Sequence, residues 1–412
     1  MGGTRHILFI NEFFHPDICA SAAVAWDHLV RIARLRPDFE ITVIAGRRAW
    51  HDPAILYPQT DEIEGLRIVR VDRPVVGRRS LLRRVMGFAV FQQNAVRAAR
   101  RLEHVDLVIA TTAPPQGASI AAKIARRRGC PYVYKVLDLY PDLAATLGRV
   151  AEGSILYRRW LARDTALMDR AARVVCISRQ MSDRICRLRN IDPDKVVTIH
   201  DGFDPARLED VDPVPGAFRQ ECQAGGKFVV QYAGNMGLSH PFETIMEACA
   251  ALGGEQDIQF QFVGDGPQRS YIHSHMPSNG LLIDYQPAER LGQVLSAADV
   301  CLISQHAEMY DKALPYKVYG IFAAGRPTIF VGSGQSEIAD WVRRYQTGIC
   351  VEQGRADLLI AAIREIKGDP TKAAEMGRAA RRLADEMLHS RVAAEAWAGL
   401  IDRVLDEDAA RR

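Results

Sequence analysis

The sequence predicts an α/β protein made of two doubly wound, Rossmann-like domains in tandem. Three observations carry this. Short runs of Val, Ile, Leu and Phe recur along the chain, as in His6 to Ile10, Val105 to Thr111 and Phe228 to Ala233. Segments with helical apolar spacing separate them. Continuous apolar strands of this kind belong to parallel sheets covered on both faces. The pattern is also interrupted once, by a Pro-, Asp- and Gly-rich stretch from Asp201 to Gly225, and then begins again. A chain of 412 residues is too long for one ordinary core. The expected division is 1–200, a linker over 201–225, a second domain over 226–385, and a C-terminal helix over 386–412 that packs back on the first domain. Two such domains imply a central cleft between them.

Taken in order, His6 to Ile10 is a strand, Asn11 to Ala20 a loop and Ser21 to Leu35 a helix. Glu40 to Ala45 is a strand, 47–65 a polar loop, and Leu66 to Val71 another strand. Ser80 to Arg101 is a helix with a broad apolar face and a cationic flank. Strands follow at Val105 to Thr111, Pro131 to Leu137, Arg173 to Ser178 and Val196 to Ile199. The second series has strands at Phe228 to Ala233, Ile258 to Val263, Leu281 to Tyr285 and Val300 to Ser304. A helix with Val318, Ile321 and Phe322 inside comes next, then a break at Gly325 to Pro327 and a strand at Thr328 to Val331. A glycine turn then leads into a helix at Ser336. Gly348 to Val351 is the last strand.

Composition is that of an ordinary globular protein, with 48% hydrophobic and 25% charged residues. The net charge of +3 argues against a nucleic-acid binder. Eight scattered cysteines without a CxxC pair read as free thiols in a reducing compartment, the cytoplasm. The N-terminus runs straight into a strand, without a signal-peptide pattern. No apolar run is long enough to span a membrane. Positive charge concentrates between Arg78 and Arg101, on the amphipathic helix. Such a segment suits the surface of an anionic membrane, or a solvated edge of a packing helix.

In doubly wound domains ligands bind beyond the carboxyl ends of the strands. There stand His15 and Asp17, then Asp138, then Gly234-Asn235-Met236-Gly237, then Gly264-Asp265-Gly266-Pro267, then Ser336-Glu337. Each has a plainer alternative: a loop histidine, a helix N-cap at Asp138, tight turns at the glycines. The triplets Asp210-Val211-Asp212 and Asp406-Glu407-Asp408 follow no strand and do not read as metal sites. The pair His273 and His275 lacks a third ligand.

The order and spacing of ILFINEFFHPD, VYKVLDLYPD, VVCIS, VVTIHDGFD, VVQYAGNMG, FVGDGP, LSAADV and LPYKVYGIFAAGRP resemble the family 4 glycosyltransferases of the GT-B fold. The resemblance is to their bacterial cell-surface polysaccharide branch, of O-antigen, capsule and colanic-acid type. It implies retaining transfer of a hexosyl or N-acetylhexosaminyl group from a UDP- or GDP-linked sugar, without metal or further cofactor. The implied acceptor is a polyprenyl-diphosphate-linked saccharide, at the cytoplasmic face of the membrane. It places Gly234, Asn235 and Gly237 at the diphosphate and donor, and Lys317 against phosphate charge. Asp265, Gly266 and Gln286 fall at the base, and Tyr319, Gly320, Ser336 and Glu337 on the donor side. Asp138, His15 and Asp17 are the implied catalytic groups. The chain departs from the family where two glutamates spaced E-x7-E are common, since Lys312 and Gly320 stand there. Glu337 is the nearest substitute carboxylate. Cys19 and Asp201 replace a common glycine and asparagine. The alternatives are a nucleotide-sugar epimerase of the same architecture and a non-catalytic sugar-nucleotide-binding protein.

Overall fold

The computed structural model describes residues 4–50, 52–72, 81–115, 117–208 and 216–412, with the side chains of 81–85 left out. The chain forms two compact units. The first contains the chain up to Asp201 and returns with Ser390–Arg412; the second is Gly202–His389.

The first unit is an eight-stranded sheet. Its strands are β1 (Arg5–Ile10), β2 (Phe39–Gly46), β3 (Thr60–Ile63), β4 (Leu66–Val71), β5 (Leu107–Thr111), β6 (Tyr132–Val136), β7 (Arg173–Cys176) and β8 (Val196–Thr198). They lie in the order β3-β4-β2-β1-β5-β6-β7-β8, all parallel except the β3–β4 pair. The order reverses between β1 and β5. The loops after those two strands therefore open at a topological switch point, where doubly wound sheets bind ligands. Strand β3 falls in the stretch expected as loop. Its residues TDEI are polar, and the strand exists because a two-residue turn folds it onto β4. Glu64 and Gly65 both have positive φ there, 53° and 77°, as tight hairpin turns require.

The helix Ser390–Arg411 packs against the helix Ala20–Leu35. Trp397, Leu400, Ile401 and Val404 share one core with Phe9, Leu29, Ile41 and Val43. Under this core Lys135 Nζ meets Asp201 Oδ1 at 2.6 Å, and His28 Nε2 bonds the Asp201 carbonyl at 2.6 Å. The ammonium lies over the Trp397 ring. The last residue of the first crossing is thus fixed to its own unit. The helix Leu81–Ala99 buries Phe91, Ala95, Val96 and Ala99 and leaves Met86 58% exposed. Of the basic segment, Arg78 and Arg79 and the side chains of Arg83 and Arg84 lie outside the described residues. No described helix is long and apolar enough to cross a membrane.

The second unit is a six-stranded parallel sheet of β9 (Phe228–Ala233), β10 (Ile258–Val263), β11 (Gly280–Ile283), β12 (Val300–Ser304), β13 (Thr328–Val331) and β14 (Gly348–Val351). The order is β11-β10-β9-β12-β13-β14, so its switch point lies between β9 and β12. The stretch Asp201 to Gly225, expected as linker, is in part built into this unit. Phe203 pairs with Leu388 and His389, and the helix Ala217–Glu221 buries Phe218. Arg219 reaches Asp299 at 3.0 Å. Single apolar anchors in a polar stretch carry no periodicity, which hides them from a pattern reading. Residues 209–215, with Asp210 and Asp212, lie outside the described residues.

Candidate active site

The second unit's switch point is built by two interlocked glycine loops. Gly234, directly after β9, has φ 122°, a conformation open to glycine. Gly264, directly after β10, has φ 135°, and a Cβ there would stand 2.2 Å from the Gly234 carbonyl oxygen. The Met236 amide donates to the Asp265 carbonyl at 2.8 Å, joining the loops again. The sequence GDGP is thus first a clamp for GNMG. The Asp265 carboxylate caps its neighbour's amide at Gly266. Beyond β11, Arg290 holds Gln286 Oε1 at 3.0 Å, and the Tyr285 ring is half exposed.

Lys317 begins the helix Lys317–Ala323 and points its ammonium at this loop. Nζ lies 3.5 Å from the Tyr232 ring centre, and a Cβ on Gly234 would be 3.6 Å from it. It is buried and has no hydrogen-bond partner among the described residues. Burial holds its pKa well below the ordinary lysine value. An unpaired buried cation is costly, and among the described residues the face of Tyr232 compensates it in part.

Sequence reasoning missed His240. It lies in the loop after β9, and its Nδ1 donates to the Ser304 carbonyl at 2.7 Å. Burial, then the nearby Lys317 charge, push its pKa down to about 3, so the imidazole is neutral. Beside it, at the end of β12, Ser304 Oγ, Gln305 Oε1 and His306 Nδ1 are also buried without a partner among the described residues. Only the sheet order, which sets β12 beside β9, brings Ser304 to His240.

The remaining donor-side residues are more structural. Ser336 caps the helix Glu337–Tyr345, its Oγ accepting from the Ala339 amide at 3.1 Å. Glu337 is fully buried in the first turn, where the helix dipole favours a carboxylate. Tyr319 is a core residue, its ring against Tyr316 and Trp341. Gly320 is buried, yet a Cβ there would meet only Leu295 Cδ1, at 3.8 Å. Space for a side chain exists, so close packing is not what makes this position glycine.

In the first unit Asp138 stands two residues beyond β6. The Thr112 hydroxyl accepts from the amides of Leu137 and Asp138 at 3.0 and 3.1 Å and fixes the turn. No ion pair reaches the Asp138 carboxylate among the described residues, and burial alone raises its pKa to about 6. Asp142 shows the contrast. Burial pulls it upward, but Arg189 at 2.5 Å and Arg184 at 2.7 Å hold it below the ordinary value. Arg189 also bonds Asp164 and the Tyr140 carbonyl, bracing the segment that carries Asp138.

His15 stacks on Trp26, 4.1 Å between centres. Burial, then Arg70, lower its pKa. Asp17 is buried, with Oδ1 accepting from the Trp50 amide at 2.8 Å and the Tyr57 hydroxyl at 3.1 Å. It ties the loop after β1 to the segment before β3.

In the second unit, a desolvated ammonium beside a glycine loop can hold an anion and stabilise charge that develops on a leaving phosphate.

Two family models match the chain: "Glycosyltransferase Family 4" over residues 33–207 and "Glycosyl transferases group 1" over residues 217–383. The probable glycosyltransferase WbjE of Pseudomonas aeruginosa is 25% identical over 327 residues, 77% of this chain and 79% of that protein. Sucrose-phosphate synthase from Thermosynechococcus elongatus has a similar structure, with TM-score 0.77 at 15% identity, over 98% of this chain and 100% of that one. Anabaena Alr3699/HepE in complex with UDP-glucose gives TM-score 0.71 at 16% identity, over 97% and 99%. With one family model on each unit and the doubly wound sheets of both, the chain belongs to the family 4 glycosyltransferases and has their GT-B fold.

Proposed function

We propose that this glycosyltransferase moves a hexosyl or N-acetylhexosaminyl group from a nucleotide sugar to a polyprenyl-diphosphate-linked saccharide. Transfer is retaining and needs no metal, and it serves cell-surface polysaccharide synthesis. The observation that carries the donor assignment is the buried, unpartnered Lys317 ammonium beside Gly234. A nucleoside diphosphate supplies the charge it lacks, and the Asn235 and Gly237 amides of the GNMG loop share it. Asp138 acts on the donor sugar, with His15 and Asp17 shaping the loop beside it. A UDP sugar is the first choice of donor, because a similar structure was solved with UDP-glucose.

A thermal-shift panel of UDP and GDP sugars tests the donor. At about 100 times Kd the matched donor adds roughly 2.7 kcal/mol, a rise of about 5–10 °C in Tm. A panel in which no nucleotide sugar shifts Tm refutes the donor site. With the donor known, transfer to a synthetic polyprenyl-diphosphate saccharide is followed by NMR of the product. Inverted anomeric configuration refutes retention. Deuterium entering the sugar from solvent points to epimerase chemistry.

The basic segment 78–101 holds the enzyme at the inner face of the membrane. Flotation with anionic vesicles is expected to weaken with salt. At about 1 kcal/mol per cation, Arg83→Glu with Arg84→Glu lowers vesicle binding roughly 30-fold or more. Unchanged flotation removes the membrane role.

A further inference from the structure

Three potential metal ligands converge at the N-terminal edge of the first unit's sheet. His6 and Glu40 are the second residues of β1 and β2 and face each other in register. His104 comes from the loop that enters β5. One ligand atom from each lies within 4.8 Å of the other two. His6 Nε2 is 3.9 Å from Glu40 Oε1. The two imidazoles meet edge to face, 5.2 Å between centres and 71° between planes.

The surroundings of His6 prepare it as a ligand. Its side chain is 3% exposed. Nε2 meets the Thr42 hydroxyl at 2.8 Å, and the ring makes a second hydrogen bond to the backbone of His104. Outer hydrogen bonds of this kind fix the tautomer and orientation of metal-bound histidines. Asp106 pins the loop that carries His104. Its Oδ2 accepts from the His6 amide at 2.7 Å and lies 3.9 Å from His104 Nε2.

The geometry points to a site for one divalent transition-metal ion, held by His6 Nε2, a ring nitrogen of His104 and the Glu40 carboxylate, with water in the fourth place. Two imidazoles and a carboxylate suit Zn2+ and its neighbours; Mg2+ and Ca2+ favour oxygen alone. Zinc–nitrogen bonds of about 2.0–2.1 Å set tetrahedral ligand atoms about 3.3 Å apart. The cluster therefore contracts by about 1 Å on binding. Glu40 and His104 are exposed side chains that can close on the buried His6. The ion replaces the Thr42 hydroxyl at Nε2. It sits at the sheet edge opposite the one that carries Asp138, so it staples strand ends and takes no part in transfer.

The test uses the full chain, stripped with chelator and desalted, then titrated with Zn2+ by calorimetry and with Co2+ by visible absorption. One ion per chain is expected, with the intense bands of tetrahedral Co2+ and a higher Tm in Zn2+. His104→Ala and Glu40→Gln change exposed positions and are expected to weaken binding about 100-fold and to abolish the Tm response. A wild-type chain that takes up no ion overturns the site. So does uptake that both variants retain undiminished, which would place the metal elsewhere on the chain.

Discussion

Asp138→Asn is expected to make the protein more stable and the enzyme nearly inactive. The sign of the stability change follows from the pKa. The carboxyl rises from 3.8 to about 6 on folding because burial disfavours the anion. Below pH 3.8 the group is protonated in both states and costs nothing. Between 3.8 and about 6 the folded state holds more of the proton, so stability falls as pH rises. Above about 6 the full penalty is present. At 1.36 kcal/mol per unit, and allowing for partial solvent contact, it amounts to about 1–3 kcal/mol. Asparagine keeps the shape and drops the charge. At pH 7.5 its Tm is expected to rise by about 3–8 °C, with no gain at pH 3.5. Activity goes the other way, with kcat falling about 100-fold or more, the scale of a lost catalytic carboxylate. The wild-type rate falls tenfold per pH unit below about 6, and this limb is absent from the variant's residual rate. A variant within threefold of wild type that keeps the acid limb would remove Asp138 from catalysis.

Lys317→Met is the second large effect. The chain length is kept and the unpaired ammonium is lost, so folding stability is expected to hold or rise. A diphosphate held at this loop would lose the buried ammonium beside it, and kcat/KM is expected to drop by about 100- to 1000-fold. A pH signature separates charge from shape. Burial depresses the lysine pKa in the empty site, and a bound diphosphate lifts it again. Above the depressed pKa the donor binds with uptake of a proton, so KM rises by up to tenfold per pH unit. In the methionine variant that slope is flat. Calorimetry in two buffers of different ionisation enthalpy reads the proton directly. Equal donor affinity in both proteins would end the role of Lys317.

These two residues also show how far the sequence could be read. Asp138 stands out because it follows a patterned strand of Tyr and Val, whereas Lys317 is singled out only by the family resemblance. Gly234, Gly264 and Gly266 were legible as strand-end glycines, but their interlocking was not. That depends on β9 and β10 being neighbours, which no local pattern states. His240 was missed for the same reason. Its neutral state rests on burial and on the Lys317 charge, and its orientation on the Ser304 carbonyl, 64 residues away in sequence. Strand β3 and the helix Ala217–Glu221 escaped because each is too short and carries too few apolar residues for a period to show. Ser336 begins a helix where the glycine turn sets it, as its cap, whereas Tyr319, which the resemblance puts on the donor side, is part of the core.

The pairing of Phe203 with Leu388 and His389 has a consequence for heredity. The second unit enters and leaves the chain at one clasped point, Gly202 and His389. In sequence it therefore lies inserted between two stretches of the first, with both ends on a single seam. Recombination at two sites can replace it whole and leave the core under Trp397 and the Lys135–Asp201 pair untouched. Changes in the second unit's glycine loops can then be acquired as a cassette, without rebuilding the half that remains.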